Sequence, residues 1–310
     1  MKRSSWITFS ALALLTACQT NRLPQRQLAS NYCAPTQPYR YDPAYAPRPD
    51  VETVLAANSG LTGRFSRHTL LMMNALGLLP QLRELVGLEG DSSQAALLRR
   101  LQVGQQLQSR LLLATTEIAS LAAELDCEGE RAEQLAYYLD QRDIRRVRNL
   151  TILSIVAGAV TTVATALIKP QTPNTVIGIG GGVLSAGLGG LAAFSSDRRV
   201  PLVHRRNLLT DIWNQSGTST IYPSFIWYVL NEKAFSNSTS FTIAHNIRER
   251  WSGYILAGAE TEGESLYFGS GGQYTADELH TRANMLNQLQ SSVRSLSQDL
   301  QSLQLALVRY

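Results

Sequence analysis

Few side chains in this 310-residue chain have the type and spacing that could do chemistry. His68, His204, His245 and His280 are scattered, with no second histidine or cysteine at metal-ligand spacing, so each reads as a surface or satisfied histidine and no metal site is expected. The run Gly178-Ile179-Gly180-Gly181-Gly182 invites a nucleotide-loop reading. The six-residue dinucleotide pattern would need glycine at Val183, however, and no Gly-Lys-Ser/Thr follows. No Gly-x-Ser-x-Gly elbow is present, and Glu260, Glu262 and Glu264 sit in a glycine-rich stretch that reads as loop. Catalytic groups need only converge in space, but the sequence gathers none of them, and the expectation is a protein that is not an enzyme and holds no cofactor. What remains is the chemistry of three thiols, Cys18, Cys33 and Cys127.

The first thiol closes a targeting segment. Met1-Lys2-Arg3 precedes the apolar run Ile7 to Leu15, which is too short for a stable membrane span and reads as a secretory signal. The run ends in Leu15-Thr16-Ala17-Cys18. This resembles the lipobox of bacterial lipoproteins: a basic start, an apolar centre, small residues and then cysteine. The resemblance covers the targeting segment alone. It implies cleavage before Cys18, lipidation of its thiol with diacylglycerol, and a further palmitate-type chain on its new amino group. Residue 19 is Gln, not the Asp that retains such lipoproteins in the inner membrane of many Gram-negative bacteria. The resemblance therefore implies a protein held by lipid at the outer membrane and facing the periplasm.

Once Cys18 is acylated, Cys33 and Cys127 are the two thiols left in an oxidising compartment, and they are expected to pair. Closing that long loop would restrict the unfolded chain by roughly 4 to 5 kcal/mol on the loop-entropy model. Between Gln19 and Asp50, six prolines and four tyrosines with little apolar periodicity read as an extended tether.

The elements that position these groups centre on residues 149–196. Leu150 to Ile168 and Thr175 to Phe194 are two uncharged apolar runs joined by the polar turn Lys169 to Asn174, and each is long enough as a helix to cross a hydrocarbon core of about 30 Å. Small residues recur every four positions: Ser154, Gly158, Thr162 and Ala166 in the first run, Gly178, Gly182, Ala186 and Gly190 in the second. Such faces let helix backbones approach closely in lipid, and Gly182→Leu or Gly190→Leu is expected to weaken assembly while sparing lipidation. Arg145, Arg146, Arg148, Arg198 and Arg199, with Arg205 and Arg206 beyond them, crowd the open end and are expected to face anionic headgroups. The competing reading is a hairpin buried as the core of a soluble domain.

Around this hairpin the chain reads as helical. Short helices are expected near residues 51–57, 67–78 and 80–86, and a capping-box-like Asp91 and Gln94 open a long helix that no proline interrupts before Pro170. Its seam runs through Leu97, Leu101, Leu107, Leu111, Ala114, Ile118, Leu121, Leu125, Ala132, Leu135 and Leu139, with Gly104 and Gly129 as candidate bends. After the hairpin, residues 203–213, 222–230 and 241–251 read as helices, and 256–274 as irregular or a small β-hairpin. The aromatic residues concentrated there read as packing core, with a membrane-interface belt or subunit contact as the alternative. Thr275 and Glu278 form a capping box at the head of a last helix, where Leu279, Leu286, Val293, Leu300 and Leu307 fall seven apart and Leu289, Leu296 and Leu303 fill the complementary position. Arg282 interrupts that second series. The simplest partner for this seam is the chain's own long helix, antiparallel to it.

The formal charge of +4 falls by two when Lys2 and Arg3 leave with the signal, so nucleic acid is not an expected partner. The expected fold class is mainly α, with long helices in a coiled-coil-like bundle and a glycine-rich transmembrane-type hairpin. Its segments are a signal peptide (1–17), a tether (18–50), a helical domain (51–148), the hairpin (149–196), an aromatic-rich mixed region (197–274) and a coiled-coil helix (275–310). The expected partners are a lipid bilayer and further copies of the chain or an envelope protein complex. The expected role is structural: an outer-membrane-anchored lipoprotein that inserts its hairpin into a bilayer as an oligomeric envelope component, with a secretion, export or surface-assembly machine as the expected setting. A periplasmic adaptor with the hairpin as core and a pore-forming, membrane-damaging effector are the alternatives.

Overall fold

A computed structural model describes residues 32–36, 43–168, 171–193, 198–238, 240–256 and 261–308, with side chains from 176 and 264 onward in the helices that begin at 171 and 261. Cys18, the signal segment, most of the tether, the hairpin tip at Lys169 and Pro170, Glu260 and the side chain of Glu262 lie outside the described residues.

The fold is mainly α and is built on two long helices. α4 (Gln94–Leu167) runs for 74 residues, about 110 Å, and α10 (Ala276–Leu307) lies along it. Their contacts fix the direction. His280 meets Glu133 and Asp140, Asn287 lies against Gly129, and Gln290 donates to the Ala122 carbonyl, so one helix ascends as the other descends. The seam of α10 is buried as its spacing requires from Leu279 through Leu303, while Leu307 at the frayed end is half-exposed. The capping box forms as read: Thr275 accepts from the Glu278 amide and Glu278 accepts from the Thr275 amide.

α4 departs from expectation at its start. Its N-cap is Ser93, whose hydroxyl accepts from the Ala96 amide, and Asp91 instead accepts from the Ser93 amide, one step outside the helix. Leu97 and Leu101 are exposed, at 48% and 69%, because the buried stripe begins on Ala96 and Val103, facing away from them. Leu107 through Leu139 hold their expected places. Gly129 serves close packing against Asn287 on α10, where a Cβ would meet the Asn287 side chain.

α1 (Val51–Ala57), α2 (Arg67–Ala75) and α3 (Leu79–Gly87) pack at the far end of this pair from the hairpin. α2 is apolar on nearly every side and correspondingly buried from Thr69 to Ala75. The chain entering α1 is seated here too. Arg48 and Asn74 exchange hydrogen bonds, Tyr45 lies under the Arg110 guanidinium, and Gly77, at φ +69°, leaves room for the Tyr45 backbone where a Cβ would meet its carbonyl carbon at 2.8 Å. Twelve residues before Tyr45, Cys33 is disulfide-bonded to Cys127 on α4 across 94 positions of sequence.

After the hairpin the chain forms β1 (Val200–Val203), α6 (Thr210–Asn214), α7 (Ser224–Asn231), α8 (Ile243–Arg250), α9 (Thr261–Phe268) and β2 (Gly271–Tyr274). The expected helix over 203–213 is instead a strand, a loop and a short helix, and residues 256–274 contain a helix. The strands β1 and β2 pair antiparallel, Val200 with Tyr274 and Val203 with Gly271. Neither four-residue strand is recognisable alone, since each is stabilised by its distant partner. The aromatic residues are mostly core: Tyr222, Phe225, Trp227, Phe235, Trp251, Tyr267, Phe268 and Tyr274 are buried, while Phe241 and Tyr254 are exposed. Residues 33–310 form one compact unit, in which the expected helical, aromatic and coiled-coil segments share a core.

Candidate membrane-inserting hairpin

α4 does not stop at residue 148. It leaves the bundle and continues as the first arm of the hairpin, and α5 (Gln171–Ala193) returns beside it. The most apolar eighteen-residue stretches of the two helices have mean hydropathies of 2.0 and 1.7, and among the described residues no part of either is buried. The hairpin is therefore not the core of this chain.

Each turn of the first arm separates two kinds of surface. Ile152, Leu153, Ile155, Val156, Val160 and Val163 are exposed on the outer side. Ser154, Gly158, Thr161 and Thr165 face α5, where they meet Gly178, Gly181, Ser185 and Gly189. The hydroxyls on this inner face are satisfied locally, as a hydrocarbon surrounding demands. Thr161, Thr162 and Thr165 donate to carbonyls three or four residues back. Ser154 donates to the Ser185 carbonyl at 2.8 Å and Ser185 to the Ser154 carbonyl at 3.0 Å, a reciprocal clasp across the two helices.

The four-residue stripes expected from the sequence are only partly this seam. Ser154, Gly158 and Gly178 belong to it. At Gly182 and Gly190 a Cβ would meet nothing within 4 Å, whereas at Gly181 it would run into Thr161. Helical geometry gives the reason. Residues four apart turn about 400°, so a strict stripe drifts by about 40° per step. The steps 178, 181, 185 and 189 return to one side, as a straight helix pair requires. Thr162, Gly182 and Ala186 line one flank of the seam, where an open groove of about 680 Å³ lies between the helices. Gly190 faces outward, and Ala166 is also off the closest line. A substitution at Gly190 thus reports on contacts outside the hairpin, whereas a large side chain at Gly182 also enters the groove.

The neck below the hairpin carries the expected basic collar. Arg145 and Arg148 are exposed, Arg146 is half-exposed beside Asp143, and Arg142 lies over the Tyr138 ring. Arg198 and Arg199 are exposed; Arg199 donates to the Gln273 carbonyl and sits 3.8 Å from Glu278 at the head of α10. That helix meets Asp140 at His280, which places Arg199 about one turn below Arg145. Arg205 is exposed, but Arg206 turns inward: its Nε donates to Glu124 at 2.8 Å.

Arg206 belongs to a buried polar ladder that the apolar pattern did not disclose. Arg110, Glu117, Glu124 and Arg131 fall seven apart on one buried line of α4. Arg110 pairs with Glu117 at 3.1 Å and Arg131 with Glu128 at 3.2 Å. Burial pushes the Glu117 carboxyl upward against the pull of Arg110, and Glu124 upward against Arg206. Beside them Arg282, 1% exposed, donates to the Tyr267 carbonyl and to Asn207, whose amide donates to the Tyr267 and Gly269 carbonyls. The arginine that interrupts the α10 seam thus pins the chain just after β1 to the end of α9. His204 faces Tyr274 at 2.8 Å and is held neutral, its pKa lowered to about 2 by burial and by Arg282 and Arg131. The heptad spacing of charged residues on α4 was the available signal.

The other histidines sit apart. His68 meets Asp299, His245 stacks on Phe241, and His280 holds Glu133 and Asp140, one at each ring nitrogen. Among the described residues, no three His, Cys, Asp or Glu side chains are arranged to hold a metal.

No protein-family model matches the chain, and no curated protein or solved structure is significantly similar to it.

Proposed function

We propose that this protein is a structural lipoprotein of the bacterial outer membrane, lipidated at Cys18, whose hairpin inserts into a bilayer. We propose further that it works as an oligomer within an envelope assembly. One observation carries the reading: two helices of membrane-spanning length stand exposed on a chain whose remaining segments bury a complete core of their own. Exposed aliphatic faces of this size are costly in water at about 25 cal/mol per Å² and cost nothing in hydrocarbon. The basic collar at the neck is where anionic headgroups would meet it. Gly182 and Gly190, where a Cβ would meet nothing within 4 Å, are open to close contact with another helix. An adaptor with the hairpin as its own core is disfavoured by the same exposure.

The test is alkaline-carbonate extraction of membranes from cells making a Cys18→Ser variant exported by an unrelated cleavable signal. Retention in the pellet, with flotation excluding aggregates, is the expected result. Complete release would refute an integral hairpin.

A further inference from the structure

We infer that the lipid anchor and the hairpin enter the same membrane, from the same side, and that the Cys33–Cys127 disulfide imposes this. The inference rests on the proposed lipidation of Cys18 and on insertion of the hairpin. It adds which lipid surface the arginine collar docks on: the leaflet that already holds the acyl chains.

Lengths along α4 decide which surface the anchor can reach. The chain before α1 is seated at Tyr45, under the Arg110 guanidinium. Upstream of it, Cys33 is bonded to Cys127. From Arg110 to Cys127 is about 26 Å along the helix, toward the hairpin. Going back along the sequence, the chain therefore climbs from the body toward the neck. From Cys127 the collar at Arg145 to Arg148 lies a further 27 to 32 Å or so in the same direction.

Fifteen residues separate Cys18 from Cys33, and fully extended they reach at most about 50 Å. The collar is within that reach with slack to spare. Of the two alternatives, one end lies beyond that reach and the other at its limit. The hairpin tip beyond Leu167 is about 60 Å from Cys127, so the acyl chains cannot sit in a leaflet across the inserted hairpin. The opposite end of the body, where α4 starts at Gln94, is about 50 Å away and would need the leash drawn taut. Without the disulfide the leash would extend to the seat at Tyr45 and grow by twelve residues, enough to reach either end.

The arrangement can be tested with the full-length acylated protein carrying Val163→Cys on the exposed outer face, labelled with an environment-sensitive nitrobenzoxadiazole dye under non-reducing conditions. The protein is reconstituted into phosphatidylethanolamine–phosphatidylglycerol vesicles of one colour, and vesicles of a second colour are then added. The expected result is a blue-shifted label before the second population is added, with co-diffusion of the two colours unchanged from protein-free vesicles. Co-diffusion that rises with protein, with the blue shift appearing only once the second population is present, would overturn the inference and leave insertion intact. A label that remains in water throughout would overturn both the inference and the reading it rests on.

Discussion

Gly181→Ala tests whether the hairpin is held by the seam described above. The ideal Cβ at this position lies 2.5 Å from Thr161 Cγ2 and 2.7 Å from Thr161 Cβ, against an ordinary contact of 3.4 to 4 Å, so the two helices must part by about 1 Å. Rotating Thr161 does not relieve a clash with its own Cβ. One turn along, the Ser154–Ser185 clasp at 2.8 and 3.0 Å would stretch beyond hydrogen-bonding range. Interhelical hydrogen bonds in lipid contribute about 0.6 kcal/mol each on average and at most about 1.7, so losing the pair costs about 1 to 3 kcal/mol. Gly182→Ala is the control. It gives the same helix-propensity gain of about 1 kcal/mol with nothing in the way of the new methyl. Reversible unfolding in mixed micelles, followed by energy transfer between probes at positions 156 and 184, should place Gly181→Ala about 1 to 3 kcal/mol below Gly182→Ala. Equal stability, or the opposite order, would refute the seam.

Two further predictions concern the polar ladder and the histidines outside the hairpin. Arg282→Ala should lower stability by about 3 to 5 kcal/mol, because it leaves a void and removes the buried donor serving Tyr267 and Asn207; the volume-conserving Arg282→Met should lose less, and an alanine variant melting with the wild type would contradict the role given to Arg282. His280 and His204 should titrate with opposite sign. The pKa of His280 is raised, first by its hydrogen bond to Asp140, so its contribution is complete below about pH 6.5 and fades as pH rises through the folded value. His204 is depressed to about 2, so the unfolded chain takes up a proton that the folded one refuses, and stability falls as pH drops below about 6.5. Denaturant midpoints across this range should flatten on the alkaline side in His280→Gln and on the acid side in His204→Gln; unchanged slopes in both would be the contrary result.

Local signals in the sequence were sufficient wherever an element is stabilised by its own neighbours. The Thr275–Glu278 capping box and the heptads of α10 act within a turn or two, and both are formed as their spacing requires. The absence of proline from Asp91 to Pro170 foretold one long helix, and the apolar runs foretold the hairpin, because length and hydropathy are properties of the chain alone. With Cys18 expected to carry lipid, the sequence pointed to a Cys33–Cys127 pairing, and that disulfide is formed.

Tertiary structure decided what depends on residues far apart in sequence. β1 exists only against β2, seventy residues on, so neither strand was legible by itself. The strict four-residue stripe put Gly182 on the packing face and left Gly181 off it, yet the pair of helices selected Gly181, because a seam must follow 3.6 residues per turn and meet a particular partner, Thr161. Arg282 looked like a flaw in a leucine seam and is instead a buried donor, a role created by carbonyl groups that α9 brings to it. The sequence determined which segments are helical, apolar and covalently joined. Only the fold determined that the hairpin stands outside the core, and that Cys33 is carried up α4 toward the arginine collar. Both are matters of distance between segments, which no local pattern encodes.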